Sequence, residues 1–298
     1  MNVGFIGLGT MGKPMARNLL NKGHRLVVAD TQPAPVAELV GAGAHSATTP
    51  KAVAAASEVV ITMLPDAPDV ERVALGDSGI VAGIQRDAIY IDMSTIDPGT
   101  TRRIGAAIAE RGATMVDCPV GKTADAAIAG TLTLMAGGSA EAVARCRPVL
   151  ECMGTDFFHC GELGAGQTMK LINNLLATAV SEASIEALVS GAKAGLALDA
   201  MLNVLRTTMA WNNALAIALP KRPLAGDFQP GFMMKLAHKD CRLALRMVEA
   251  LGVSAPVGRA AFESLDEGLK KGLQDHDVGA LLKLREEAAG VEVRLPRA

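Results

Sequence analysis

Aromatic side chains are scarce in this sequence. Tryptophan and tyrosine occur once each and phenylalanine six times, 3% of 298 residues in all. So few aromatic rings leave no platform for stacking bases. An excess of positive charge is missing too: the formal net charge is -2, and no basic stretch stands out. Nucleic acid is therefore not an expected partner. The five cysteines, at 118, 146, 152, 160 and 241, are odd in number and make no C-x-x-C pair. Reduced thiols in a cytoplasmic protein are expected, with no metal site. Cys118 falls inside a candidate site and reads as a small buried apolar thiol. Long apolar runs are absent as well. Residues 126–140 carry no charge but are too short for a membrane span and are broken by glycines. The first residues enter an apolar run at once, with no basic segment and apolar signal region, so neither secretion nor membrane attachment is expected.

Half of the residues are hydrophobic, and the chain is long enough for two domains, each with a core. Alanine accounts for much of the positive mean hydropathy of +0.28. Short apolar runs at 3–6, 26–29, 58–64, 88–92 and 113–117 alternate with helix-competent stretches at 13–22, 34–40, 51–56, 69–75 and 100–111. That alternation predicts βαβ units and a doubly wound, mostly parallel sheet of Rossmann type.

The first strand leads straight into Gly7-Leu8-Gly9-Thr10-Met11-Gly12, followed by a helix. This is G-x-G-x-x-G in the context that gives it meaning. Gly7 permits the tight turn, Gly9 leaves room for a pyrophosphate, and Gly12 lets helix and strand pack closely. The helix N-terminus then faces the phosphates. The second run ends in Asp30, placed to accept hydrogen bonds from an adenosine ribose and to repel a 2′-phosphate. NAD is the expected cofactor, with NADP less favoured; the plainer role for Asp30 is to cap the next turn. Met63, Leu64 and Pro65 close the third long run, where the cofactor lies in such folds. Ser94 and Thr95 reach the same edge, suited to a nicotinamide ribose or a substrate, or else to capping ahead of Pro98.

Residues 113–138 read as strand, loop, strand. The loop holds Pro119-Val120-Gly121-Lys122-Thr123, whose exposed N–H groups suit an oxyanion and whose Lys122 adds a point charge. From 165 to 194 there is no proline and there are only two glycines, at 166 and 191, which predicts a long helix. Apolar residues at 171, 172, 175, 176, 179 and 183 mark one face; Lys170, Asn173, Asn174, Thr178 and Ser181 mark the other. Lys170 and Asn174, four apart, stand side by side. Beyond it lie helical stretches at 199–209, 234–251, 255–272 and 275–289 with no strand pattern, so the second domain is expected to be all-helical.

These stretches together resemble the β-hydroxyacid dehydrogenase family, which includes 3-hydroxyisobutyrate dehydrogenase and tartronate semialdehyde reductase. The matching segments are Gly-Leu-Gly-Thr-Met-Gly at 7–12, Asp-Met-Ser-Thr at 92–95, Asp-Cys-Pro-Val at 117–120 and Gly-Thr-Leu at 130–132. They continue with Gly-Ala-Gly-Gln-Thr-Met-Lys-Leu-Ile-Asn-Asn at 164–174 and Lys-Leu-Ala-His-Lys-Asp at 235–240. The resemblance implies a Rossmann domain over 1–163 and an all-helical domain over 164–298 like that of 6-phosphogluconate dehydrogenase, with 164–194 as the linking helix. It implies a homodimer or homotetramer assembled through the helical domain. It also implies an NAD(H)-dependent oxidoreductase that interconverts a small anionic β-hydroxyacid and its aldehyde.

In such a protein Lys170 is the acid/base, Asn174 holds substrate beside Asn173, and Lys239 lies on the nicotinamide side of the cofactor. Asp240 is placed to orient Lys239, although i,i+1 neighbours do not share a helix face. One departure concerns the substrate loop, commonly Pro-Val-Ser-Gly-Gly in the family. Here Gly121, Lys122 and Thr123 give a loop like the Pro-Val-Gly-Arg-Thr of sulfolactaldehyde reductases, with lysine in place of arginine and Ala177 where a serine is expected. Arginine offers a planar fork to two oxygens, lysine a single point charge. The specific alternatives are therefore a sulfolactaldehyde reductase or a succinic semialdehyde reductase. A remote alternative is a cofactor-binding interaction protein without turnover; the presence of Lys170 counts against it.

Overall fold

The computed structural model describes residues 1–295. The chain divides into two compact units, Met1–Lys170 and Leu171–Ala298. The first is built on a nine-stranded sheet: β1 (Asn2–Ile6), β2 (Arg25–Ala29), β3 (His45–Ser46), β4 (Val59–Thr62), β5 (Ile89–Asp92), β6 (Thr114–Asp117), β7 (Val120–Gly121), β8 (Leu132–Gly137) and β9 (Gly154–Gly161). The order is β3-β2-β1-β4-β5-β6-β8-β7, with β9 beside β8. The first six strands are parallel; β8 runs antiparallel to β6 and β7 and parallel to β9. The strand order reverses between β1 and β4, the position at which doubly wound sheets take their ligand.

Helices cover both faces: α1 (Gly12–Asn21), α2 (Pro33–Gly41), α3 (Pro50–Ala55), α4 (Ala67–Leu75), α5 (Pro98–Glu110), α6 (Ala124–Ala129) and α7 (Ala140–Leu150). Alternate strand residues feed two separate cores. Val3, Phe5, Val59, Ile61, Ile89 and Ile91 join one, and Ile6, Val60 and Tyr90 join the other. A sheet buried on both faces needs such runs of apolar residues. Helix starts follow local chemistry. Thr49 and Asp97 accept the Ala52 and Thr100 N–H groups, each just before a first-turn proline, Pro50 or Pro98. Capping ahead of Pro98 thus falls to Asp97, and neither Ser94 nor Thr95 is needed for it. The region read as a simple loop holds the short helix α6, closed by Gly130 in a left-handed conformation. The two-residue β3, α7 and β9 had no counterpart in the sequence reading.

Helix α8 (Ala165–Lys193) runs from the first unit into the second. The second unit adds α9 (Leu198–Arg206), a π-helical segment Ala214–Ala218 continuing into α10 (Leu219–Lys221), α11 (Met234–Ala250), α12 (Pro256–Lys270) and α13 (Leu281–Ala289). The stretch expected to be helical from 275 begins instead with Asp277 capping a 3-10 turn, Val278–Ala280. By length and composition alone α8 would cross a membrane. In the second unit it is a core helix: Ile185, Leu188 and Val189 join Met201, Met234, Cys241 and Leu265 in one apolar cluster. Glu182 of α8 is buried against Arg285, which bonds its Oε1 at 2.5 and 2.7 Å.

The expected faces of α8 are partly exchanged. Asn174 (8% exposed) and Thr178 lie buried, whereas Ile172 and Leu176 (63% exposed) face outward. Periodicity identified two faces, but burial followed the polar partners of one of them.

Candidate functional site

In the first unit the parallel strands end level. Residues Ala29, Ile6, Thr62, Asp92 and Asp117 are register partners in a row across β2, β1, β4, β5 and β6. The predicted cofactor residues follow directly from that row: Gly7–Gly12 after β1, Asp30 after β2, Met63–Pro65 after β4 and Thr95 after β5, where the predicted substrate residue Ser94 also lies. Gly7 has φ +94° and donates its N–H to Ala29 O at 3.0 Å. A Cβ there would run into the Met63 carbonyl, and one on Gly12 into the Gly7 carbonyl. A Cβ on Gly9 would meet nothing within 4 Å. Leu8 is buried, Met11 and Gly12 are shielded, and Gly9 and Thr10 are exposed. Met11 stands at the cap of α1 without a side-chain hydrogen bond to its first turn. The turn thus presents open space over Gly9 at an uncapped helix N-terminus, the arrangement a pyrophosphate requires.

The geometry of Asp30 shows the plainer of its two expected roles, the start of the next turn. Leu8 N–H donates to Oδ2 at 2.5 Å and Gln32 N–H to Oδ1 at 2.7 Å, so the carboxylate ties the glycine turn to the end of β2 while also starting the next turn. Ser94 is fully buried. Its Oγ accepts the Leu64 N–H at 2.9 Å, its N–H donates to Asp92, and its carbonyl accepts from Gln167 at 2.8 Å. Ser94 thereby fixes the turn bearing Leu64, while Thr95 beside it is half-buried and Pro65 exposed.

Gly121 ends β7, and Lys122 after it adopts φ +75°. A non-glycine residue rarely holds that left-handed backbone. Lys122 Nζ donates to Thr131 O and to Asp156 Oδ2, both at 2.7 Å, and the ammonium holds the Asp156 carboxyl below its usual range. Lys122 is exposed, as is Thr123. Cys118 is buried and its thiol is pushed well up, which leaves it inert at neutral pH. All five cysteines are free, and no group of His, Cys, Asp and Glu among the described residues is arranged to hold a metal ion.

Lys170 is half-buried and is the last residue of the first unit. In the second unit, Asn174 Nδ2 donates to Asp240 Oδ2 at 2.6 Å, and Asn173 Nδ2 donates to Asn174 Oδ1 at 3.0 Å. Lys239 Nζ lies 3.2 Å from Asp240 Oδ1. The two i,i+1 neighbours do meet, so the objection to this pair fails. Asp240 therefore gathers Asn174 and Lys239 on one buried carboxylate, a junction 66 residues long in sequence for Asn174. Sequence reasoning gave Asp240 only the lysine. It missed Asp117, Gln167 and Asp156, although the first two lie in stretches it singled out, Asp-Cys-Pro-Val and Gly-Ala-Gly-Gln.

A family model described as the NAD binding domain of 6-phosphogluconate dehydrogenase matches residues 2–161. A second, described as NAD-binding of NADP-dependent 3-hydroxyisobutyrate dehydrogenase, matches residues 164–285. The 3-sulfolactaldehyde reductase of Escherichia coli (strain K12) is 40% identical over 98% of each chain. The 3-hydroxyisobutyrate dehydrogenase of Pseudomonas aeruginosa is 41% identical over 87% of this chain and 89% of the relative. Among solved structures, a Mycobacterium tuberculosis 3-hydroxyisobutyrate dehydrogenase with L-serine matches with a TM-score of 0.88 at 32% identity, covering 95% of this chain and 98% of that one.

Proposed function

Because the chain belongs to the β-hydroxyacid dehydrogenase family and is an oxidoreductase of small hydroxyacids that uses NAD, with NADP possible, we propose that it reduces a short anionic aldehyde reversibly with Lys170 as proton donor. The observation that carries this reading is the level row of strand ends under the open glycine turn, together with a lysine on a helix that starts against that same row. The bound nicotinamide cofactor supplies or accepts the hydride. Gly7–Gly12, Asp30, Met63–Pro65 and Thr95 would hold it. Lys170 gives its proton to the aldehyde oxygen in reduction and takes the hydroxyl proton in oxidation. Asn174, with its amide fixed by Asp240 and Asn173, orients the oxygen that reacts. Five free thiols fit a reducing, cytoplasmic setting. The outward apolar stripe Met169, Ile172 and Leu176 on α8 fits a homodimer or homotetramer.

Asp30 is the basis for preferring NAD. Asp30→Ala is expected to narrow the ratio of kcat/KM for NADH over NADPH, since the repulsion of a 2′-phosphate goes. NADH itself is expected to bind more weakly, because the Leu8 N–H loses its acceptor. A variant with an unchanged ratio removes Asp30 from cofactor choice.

The anionic end of the substrate is assigned to the Gly121–Thr123 backbone and Lys122. The left-handed backbone at Lys122 breaks the extended run between Gly121 and Thr123 and leaves the loop exposed. Steady-state rates with NADH over a panel of short aldehydes carrying carboxylate or sulfonate groups test the substrate class. Lys122→Met is expected to raise KM for the preferred anion by roughly 10-fold, the loss of one charged hydrogen bond. An unchanged KM leaves Lys122 as a strut between the loop and β9. Lys122→Arg is expected to favour sulfonates, which suit the planar fork. A succinic semialdehyde reductase would lose affinity in the same variant through crowding.

A further inference from the structure

Helix α8 begins without a cap of its own. Gly164 precedes it with φ +93° and has no side chain to offer the exposed N–H groups of the first turn. The acceptor comes from another strand. Asp117 Oδ1 receives the Gly164 N–H and Oδ2 the Gln167 N–H, both at 2.7 Å, and Asp117 is fully buried at the end of β6. The fit is close. A Cβ on Gly166 would stand 2.8 Å from Oδ2, and one on Gly137 2.5 Å from Oδ1. Gln167 then extends the attachment to β5: its Oε1 accepts the Ile96 N–H at 3.1 Å and its Nε2 donates to the Ser94 carbonyl at 2.8 Å. Lys170 comes three residues after Gln167, on the same side of the helix.

We infer that Asp117 is a positioning residue: its ionised carboxylate holds the first turn of α8 against the ends of β5 and β6 and so sets the place of Lys170 during turnover. This rests on the acid/base role given to Lys170 above. A carboxylate accepts at both oxygens, whereas a protonated carboxyl offers one N–H its hydroxyl oxygen, a weaker acceptor. Proton uptake therefore loosens the joint that Lys170 depends on.

Burial pushes the Asp117 carboxyl up to about 6; the Asp92 charge adds to this, and the Gly164 and Gln167 N–H groups oppose it. The titratable and charged groups around it are Asp92, its register partner on β5, Cys118 next in the chain, Cys160 on β9, Arg102 beside Gly164, and Lys170 one turn along α8. Both thiols are pushed up and stay protonated. The linkage has a definite sign. The folded carboxyl titrates above its ordinary value of 3.8, so folding takes up a proton between there and about 6. The contribution of this group to stability declines as pH rises through that window. Its contribution to turnover runs the other way, because the ionised form is the one that holds the helix.

The test measures kcat and KM from pH 5 to 9 in the wild type, Asp117→Asn and Lys170→Ala, with amide hydrogen exchange of the wild type at pH 5 and 7.5. Wild-type kcat is expected to fall below about pH 6. Asp117→Asn is expected to lower the plateau by about 10-fold, as for a misplaced reacting group, to lose the acid limb, and to keep its affinity for NADH within about threefold. A purely structural loss would leave the shape of the profile unchanged. The Gly164 and Gln167 amides, corrected for intrinsic rates, are expected to lose protection at pH 5. An acid limb that survives in Asp117→Asn, or equal protection at both pH values, overturns the proposal. If Asp117→Asn does not fold, the wild-type exchange decides alone. Turnover surviving in Lys170→Ala refutes the acid/base reading instead, and the exchange result still reports separately on Asp117.

Discussion

Lys170→Ala is expected to bind NADH as the wild type does and to lose about 10²- to 10⁴-fold in kcat, the range for removing a positioned acid/base group. Hydride transfer to a carbonyl carbon leaves charge on the oxygen, and reduction stalls unless a proton arrives there. Lysine ordinarily titrates near 10.4, so it is a ready donor for reduction; as a base it needs desolvation or a neighbouring positive charge to bring its pKa down. Two further variants separate proton transfer from charge alone. Lys170→Met keeps the stem and is expected to match alanine. Lys170→Arg keeps a positive charge but does not give up its proton at working pH, and it too is expected to stay near the alanine level. Fluorescence titration with NADH checks binding, and single-turnover reduction checks chemistry. Turnover within a few fold of wild type in Lys170→Ala, or recovery in Lys170→Arg, would sink the role.

The second large effect separates two glycines of one turn. Gly9→Ala adds a methyl group into open space at a residue with no positive φ, so the fold is expected to keep its stability within about 1 kcal/mol. Its affinity for NADH is expected to drop by about 10- to 100-fold, because the methyl occupies the approach a pyrophosphate needs; Gly9→Val should be worse. Gly12→Ala is expected to behave differently. Its Cβ would press on the Gly7 carbonyl oxygen, which is backbone and cannot swing aside. The turn must open, at a cost of about 1–3 kcal/mol or more in stability, and cofactor affinity falls with it. Urea denaturation paired with NADH titration reads both quantities. A Gly9→Ala protein that binds NADH normally would remove the open space over Gly9 as the phosphate seat.

Local chemistry made much of the first unit legible. Apolar runs of four to seven residues, punctuated by glycine and proline, gave the parallel strands and the helices between them, and these were found within a few residues of the expected places. The glycine turn was readable because its three glycines fall within six residues, although the Met63 carbonyl that crowds Gly7 comes from the end of β4. The length of α8 was readable because nothing in 165–193 interrupts a helix. Shorter elements were lost: the two residues of β3 and the six of α6 carry too little periodicity to stand out.

The sequence alone determined whatever depends on neighbours along the chain: the βαβ order, the open turn for a dinucleotide, the long helix bearing Lys170 and Asn174, and the helical character of the residues beyond that helix. Tertiary structure decided the rest. It buried Asn174 and Thr178 and left Ile172 and Leu176 outside, since the Asn174 amide found its acceptor on α11. It tied Lys122 to Asp156, 34 residues away, because β7 and β9 flank β8. It set Asp117 on the first turn of α8, about 50 residues later, because β6 ends level with its neighbours there. The partner of a polar group is fixed by strand register and helix seating, and no local periodicity in a sequence records either.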